Sequence, residues 1–206
     1  MRLLKNFKSF REKRYLKEEG FYHDLKKGQS PETLFITCSD SRILPNEITG
    51  TSEGELFVIR NAGNALPAFG VKSDLATSAT IEYAICVLGV KEIVVCGHSH
   101  CGAISARTNQ SLVPESFGYL HDYLNTLPEF KEEDVAHNTK LNILHQLENL
   151  LTYPYVKEKY DAGELDLIGW LYHFDEGNLE VLSHPEKEFK SWEGECIERD
   201  NKKNKK

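Results

Sequence analysis

No stretch of this 206-residue chain stays apolar for the roughly 20 residues that a membrane helix needs. Basic residues are the minority charge: 25 Lys and Arg against 32 Asp and Glu leave a net charge of −7, which speaks against a nucleic-acid-binding surface. The N-terminal MRLLKNFKSFREKRYLKEE starts basic but lacks the apolar core of a signal peptide. The five cysteines are an odd number and form no Cys-x-x-Cys pair, so neither a disulfide framework nor a thioredoxin-like redox site fits. A reducing cytoplasm is the expected compartment. No internal repeat and no linker divides the sequence. With 28% charged and 40% hydrophobic residues, it is expected to form one domain over 1–206, with an N-terminal helical arm over 1–27 and a flexible tail from about 195.

What is present centres on Ile93–Gly102, IVVCGHSHCG. An apolar β-branched run enters Gly97 and then His98, Ser99, His100 and Cys101. A strand, a glycine and polar residues opening a helix put side chains at the carboxyl edge of a parallel sheet, where α/β folds bind ligands. His98 and Cys101 are three apart, which on a first helical turn gives one shared face and a shared metal. A second short strand, Thr33–Thr37 (TLFIT), delivers Cys38 at its end, followed by Ser39, Asp40, Ser41 and Arg42. Two cysteines and a histidine on two strand ends make a zinc site. Cys86 and Cys96 lie in apolar stretches and read as buried thiols, and Cys196 as exposed and idle. His100, the rival to His98, points to another face of the turn.

Along the chain, Leu3, Leu4, Phe7 and Phe10 mark an amphipathic helix. It is either docked on its own domain or an arm lying on a partner subunit. Phe21–Lys27 reads as a short helix closed by Gly28, and Pro45–Thr49 as a helical turn. Glu55–Arg60 is a strand, followed by the polar loop Asn61–Asn64. Ser73 or Asp74 caps a helix through Leu88, with Leu75, Ala79, Tyr83 and Cys86 as its buried positions and Gly89 at its end. Lys91–Cys96 is the third strand, and a helix follows Gly102. Pro114–Leu124 and Glu132–Leu151 are further helices, the latter with Leu141, Leu144, Leu147 and Leu151 in register. Leu165–Phe174 and Asn178–Leu182 flank Asp175-Glu176-Gly177, a hairpin signal. The fold class is α/β: a mostly parallel central sheet flanked by helices, with an antiparallel C-terminal hairpin at its edge.

Cys-Ser-Asp-Ser-Arg at 38–42, Arg60-Asn61 after a Gly-Glu-Leu-Phe run, and Gly-His-Ser-His-Cys-Gly at 97–102 together resemble the β-class carbonic anhydrases. The resemblance is strong from Gly28 to Ala106 and weaker at Gly169-Trp170-Leu171-Tyr172. Ala103 stands where many members have a second glycine. The resemblance implies one zinc per chain on Cys38, His98 and Cys101. It implies Asp40 and Arg42 as the catalytic pair, and reversible hydration of CO2 to bicarbonate and a proton by zinc-bound hydroxide. Two thiolates cancel the charge of the metal, so such a centre acidifies water less than a three-histidine site would. Asp40, held ionised by a bidentate Arg42, is the expected help, accepting the hydrogen of the attacking oxygen. A carbonyl sulfide or carbon disulfide hydrolase on the same site is one alternative. An inactive zinc-binding regulatory homologue is the other, although such a chain would be expected to lack Asp40 or Arg42.

One branch of the family is similar in having a Gln before the first strand, a Phe after Gly-Glu-Leu and a Tyr in Ile-Glu-Tyr. These match Gln29, Phe57 and Tyr83 as substrate contacts, with the Gly102 N–H as a further donor. The resemblance also implies a homodimer or homotetramer with each pocket completed by a neighbouring subunit. Phe35 occupies the position where members with a closed site carry Trp. An open zinc is therefore expected, with Asp40 a metal ligand only in a closed state. No nucleic acid and no membrane is expected as a partner.

Overall fold

The computed structural model describes residues 1–183 and 187–194. His184, Cys196 and the expected tail from 195 lie outside the described residues. The chain divides into two compact units at Ser30–Pro31. In the first, α1 (Arg2–Phe10) continues as a π-helical turn over Arg11–Tyr15, and α2 (Glu19–Leu25) follows. Aromatic rings join them: Phe10 meets Tyr22 edge-on at 5.9 Å, and Tyr15 meets it at 4.8 Å. Leu3, Leu4 and Phe7 stay exposed.

The second unit is built on six strands: β1 (Thr33–Cys38), β2 (Leu56–Asn61), β3 (Glu92–His98), β4 (Asp166–His173), β5 (Asn178–Ser183) and β6 (Glu188–Ser191). Their order is β2-β1-β3-β4-β5-β6, parallel through β4 and antiparallel beyond it. The expected α/β sheet with an antiparallel edge is therefore what the chain forms. The helices are α3 (Pro45–Thr49), α4 (Leu75–Glu82, extended by a π turn over Tyr83–Leu88), α5 (Gly102–Thr108), α6 (Gly118–Leu124), α7 (Val135–Leu150) and α8 (Pro154–Asp161).

Alternation along the strands feeds two buried layers. Leu34, Ile36, Ile93 and Val95 pack with Ile81, Ile85, Ile143 and Leu150, while Phe35, Val94 and Cys96 fill the opposite face. Gly97 lets α7 lie close on β3: a Cβ there would stand 2.6 Å from Thr139 Cγ2.

Several expectations are corrected. In α4 the buried positions are Thr77, Ile81, Ala84 and Ile85, whereas Leu75, Ala79 and Tyr83 are exposed and Cys86 is an exposed thiol. Both faces of this helix are apolar, so periodicity alone does not say which one faces the sheet. In α7, Leu147 is buried but Leu141 is exposed, because the inward face carries Asn138, Asn142 and Gln146. The helix expected over Pro114–Leu124 begins only at Gly118, after a turn that ends the Pro114 segment. Two elements had no expectation. Helix α8 opens with Pro154 at its first turn, and β6 is a four-residue edge strand. Asp74 is the α4 cap, accepting from Thr77 N at 3.0 Å, and Gly89 ends the helix at φ 68°.

Candidate metal centre

Strands β1 and β3 are parallel neighbours, with Thr37 beside Cys96, so both open on the same carboxyl edge. Cys38 is the last residue of β1 and His98 the last of β3. Cys101 is the residue before α5. His98 and Cys101 do not share a helical turn. His100 takes a left-handed conformation, φ 53°, which folds the chain back and returns Cys101 to the side of His98. The ligand atoms of Cys38, His98 and Cys101 all lie within 4.8 Å of one another, and all three residues are buried.

This set fits a soft divalent cation. His98 Nδ1 lies 2.8 Å from the Ser99 carbonyl, which can only accept. The proton therefore sits on Nδ1, and Nε2 is left a bare lone pair, buried and without a partner among the described residues. The two sulfurs are 3.9 Å apart. The Cys101 thiol donates to Cys38 and holds that thiol's pKa well below its ordinary value, while Cys101 is pushed up by the same contact. Without a cation the pair keeps one proton between two sulfurs. A cation removes that need.

Asp40 and Arg42 stand beside the set. Arg42 donates from Nε to Asp40 Oδ1 at 2.9 Å, from Nη2 to Oδ2 at 2.6 Å, and from its backbone N to Oδ1 at 3.0 Å. These bonds, the side-chain ones foremost, hold the Asp40 carboxyl well below the usual carboxylate range. Asp40 Oδ2 is 4.0 Å from the bare His98 Nε2, so one carboxylate oxygen borders the ligand set without joining it. Arg42 is itself fixed, its Nη2 donating to the His100 carbonyl at 3.2 Å and its Cζ resting 4.2 Å over the Phe174 ring. Arg60 secures the backbone beneath, donating to the carbonyls of Cys38 at 3.0 Å and Asp40 at 2.8 Å.

Sequence reasoning missed two supports. One is the β4–β5 turn: Phe174 under Arg42, and Asp175, which accepts from Ser99 Oγ at 2.7 Å and pairs with His100 Nε2 at 3.1 Å. Ser99 and His100 lower the Asp175 pKa to about 2. The other is the loop after β2. Gly63 N–H donates to Cys38 Sγ at 3.4 Å. Tyr123 OH donates to the Ala62 carbonyl at 2.8 Å, Asn142 Nδ2 to the Gly63 carbonyl at 2.9 Å, and Gln146 Oε1 accepts from Leu66 N at 2.8 Å.

The residues expected to touch substrate are placed differently. Gly102 is the first residue of α5, next to Cys101. Phe57 pairs in register with Leu34 while Cys38 pairs with Asn61, so Phe57 lies four residues back along the sheet. At about 3.3 Å per residue that is roughly 13 Å from the level of Cys38. Phe57 packs on Tyr83 with ring centroids 5.8 Å apart. Within one chain the pair does not join the ligand set. Gln29 belongs to the N-terminal unit.

The sequence matches the carbonic anhydrase family profile over residues 33–179. It is 38% identical to a carbonic anhydrase of Synechococcus elongatus across 88% of this chain and 71% of that one. Among solved structures, the β-carbonic anhydrase CcaA superposes with a TM-score of 0.85 at 35% identity, covering 93% of this chain and 98% of CcaA. A tetrameric β-carbonic anhydrase from Sordaria macrospora does so with 0.76 at 28% identity, covering 87% of this chain and 94% of its own.

Proposed function

The chain belongs to the β-class carbonic anhydrases, and from that membership we propose that it hydrates CO2 reversibly to bicarbonate and a proton, with one zinc held by Cys38, His98 and Cys101. The observation that carries this reading is the convergence of two buried sulfurs and a bare imidazole nitrogen within 4.8 Å, bordered by an ionised carboxylate. Zinc in such a set supplies the Lewis acidity that ionises water near neutral pH. Asp40 Oδ2 accepts the hydrogen of the attacking oxygen and leaves its lone pair directed at CO2. Arg42 keeps that oxygen an acceptor and fixes its direction. The Gly102 N–H, next to Cys101, is a donor for a bicarbonate oxygen.

Gln29, Phe57 and Tyr83 serve a neighbouring subunit's pocket, with Phe57 as an apolar wall for CO2 and Gln29 as a donor oriented by Tyr83. The position of Phe57, four residues back along the sheet from the level of Cys38 and packed on Tyr83, supports this for that pair. So does the exposed apolar stripe on α4, where Leu75 is 66% and Val87 65% exposed, together with the bare Leu3, Leu4 and Phe7 of α1. The assembly is a homodimer or a pair of dimers, and the tetrameric relatives from Sordaria macrospora support the larger form. The zinc site is of the open kind. Phe35 is fully buried against Trp170 and offers no donor, and Arg42 holds Asp40 off the ligand set. Among the described residues no helix is long and apolar enough to cross a membrane. The free thiols among them suit a reducing cytoplasm.

The test is stopped-flow CO2 hydration with a zinc assay on the same sample. About one zinc per chain and activity lost in Cys101→Ala are expected; a fully active Cys101→Ala protein would refute the reading. Turnover of carbonyl sulfide or carbon disulfide without CO2 hydration would instead assign the site to those gases.

A further inference from the structure

We infer that Tyr123 is a positioning residue of the metal centre, acting through a single peptide group on the sulfur of Cys38. The Ala62 carbonyl and the Gly63 N–H belong to one peptide. Its oxygen accepts from Tyr123 OH at 2.8 Å, and its N–H donates to Cys38 Sγ at 3.4 Å. A carbonyl cannot donate, so the phenol hydrogen points at Ala62. Burial pushes the Tyr123 hydroxyl further toward its protonated form, which keeps it a donor. A bond accepted at one end of a peptide strengthens the bond donated at the other, by on the order of 10–30%.

The rest of the loop is built to hold that peptide plane. Asn142 fixes the next carbonyl, Gly63 O, and Gln146 Nε2 in turn donates to Asn142 Oδ1 at 2.8 Å. Asn61 braces the loop from inside, its side chain bonding both N and O of Ala65. Gly63 sits at φ 74°, and a Cβ there would lie 3.2 Å from Ala103 Cβ, so glycine lets the amide reach the sulfur. Tyr123 itself packs among the buried Leu124, Leu127 and Ile104.

An N–H donor on a thiolate draws electron density from sulfur and so from any metal it binds. That offsets the handicap of two thiolates, which otherwise leave a divalent ion with little net charge. The Tyr123 relay keeps the metal electrophilic and holds Cys38 ready in its ligand position. This rests on the zinc reading of the site.

Tyr123→Phe removes only the hydroxyl and keeps the packed ring. Tyr153→Phe is the matched control: the Tyr153 hydroxyl is also buried and donates to the same stretch, at Pro67 O, 2.9 Å, but that peptide carries no N–H to sulfur. Wild type and both variants are loaded with cobalt(II), and the sulfur-to-cobalt charge-transfer band is recorded. Zinc release to a chelator is then timed. In Tyr123→Phe the band moves to longer wavelength, because a less hydrogen-bonded sulfur gives up its electron more easily. Zinc leaves on the order of tenfold faster although that sulfur is the stronger donor, because the loosened Ala62–Gly63 peptide no longer holds Cys38 in its ligand position. Tyr153→Phe matches wild type in both. A Tyr123→Phe band that overlays the wild-type band, or an equal shift in Tyr153→Phe, would overturn the relay. A wild-type protein that takes up neither ion would overturn the zinc reading, and this inference with it.

Discussion

On the proposed mechanism, Asp40→Asn isolates the one group that would separate a metal-binding pocket from a catalyst. The side chain keeps its size. Its Oδ1 can still accept from the Arg42 backbone N at 3.0 Å and Nε at 2.9 Å. At the Oδ2 position, however, an NH2 group would face Arg42 Nη2 across 2.6 Å, donor against donor. Either the amide turns or Arg42 leaves its seat on Phe174. In both cases the atom bordering His98 Nε2 no longer accepts a hydrogen bond reliably. A positioned acid–base group contributes about 10²- to 10⁴-fold, so hydration should fall at least about 100-fold. Zinc content should stay near wild type, because Asp40 lies outside the ligand set. Stopped-flow CO2 hydration with metal analysis reads both quantities. Activity within a few-fold of wild type would refute the role given to Asp40, and loss of the metal would make it structural. The lowered pKa adds a sign: a carboxylate held below its usual range stays charged, so no loss traceable to Asp40 is expected above about pH 4.

Three further outcomes follow from other parts of the molecule. Gly97→Ala places a Cβ 2.6 Å from Thr139 Cγ2 and 3.0 Å from Ile143 Cδ1, and should cost about 1–3 kcal/mol in a urea melt; an unchanged midpoint would contradict the close approach of α7. Asp175 has its pKa lowered to about 2, so its bonds to Ser99 and His100 stabilise the fold above the unfolded carboxylate pKa, near 4, and that contribution is lost as pH falls toward 2. The stability gap between wild type and Asp175→Asn should therefore close across that window, and a gap that stays constant would show the carboxylate is not the cause. Val87→Arg puts a charge on the exposed stripe of α4 and should shift sedimentation toward monomer, whereas an unaltered assembly would remove that face from the interface.

The clustering of Cys38, His98 and Cys101 was legible in the sequence because Cys38 and His98 each end a short apolar β-branched run and Cys101 follows His98 by three residues. Which turn joined His98 to Cys101 was not, since the left-handed His100 leaves no mark that a helical start would not also leave. Face assignment failed for a different reason in each helix. In α4 both stripes are apolar, and in α7 the buried stripe is an amide ladder that hydrophobicity ranks as surface. That ladder bonds backbone groups about 80 residues away, Gly63 O and Leu66 N, which no local pattern encodes. Tyr123 and Phe174 were invisible on the same ground: each acts on a residue far along the chain, Ala62 and Arg42, through one contact made only by the fold.

X-ray absorption at the zinc edge tests the centre most directly. The account predicts one zinc per chain with two sulfur neighbours at about 2.3 Å and two nitrogen or oxygen neighbours at about 2.0–2.2 Å, and a sulfur shell halved in Cys38→Ala or Cys101→Ala if any metal remains. A zinc shell without sulfur, or one unchanged by either substitution, would contradict it.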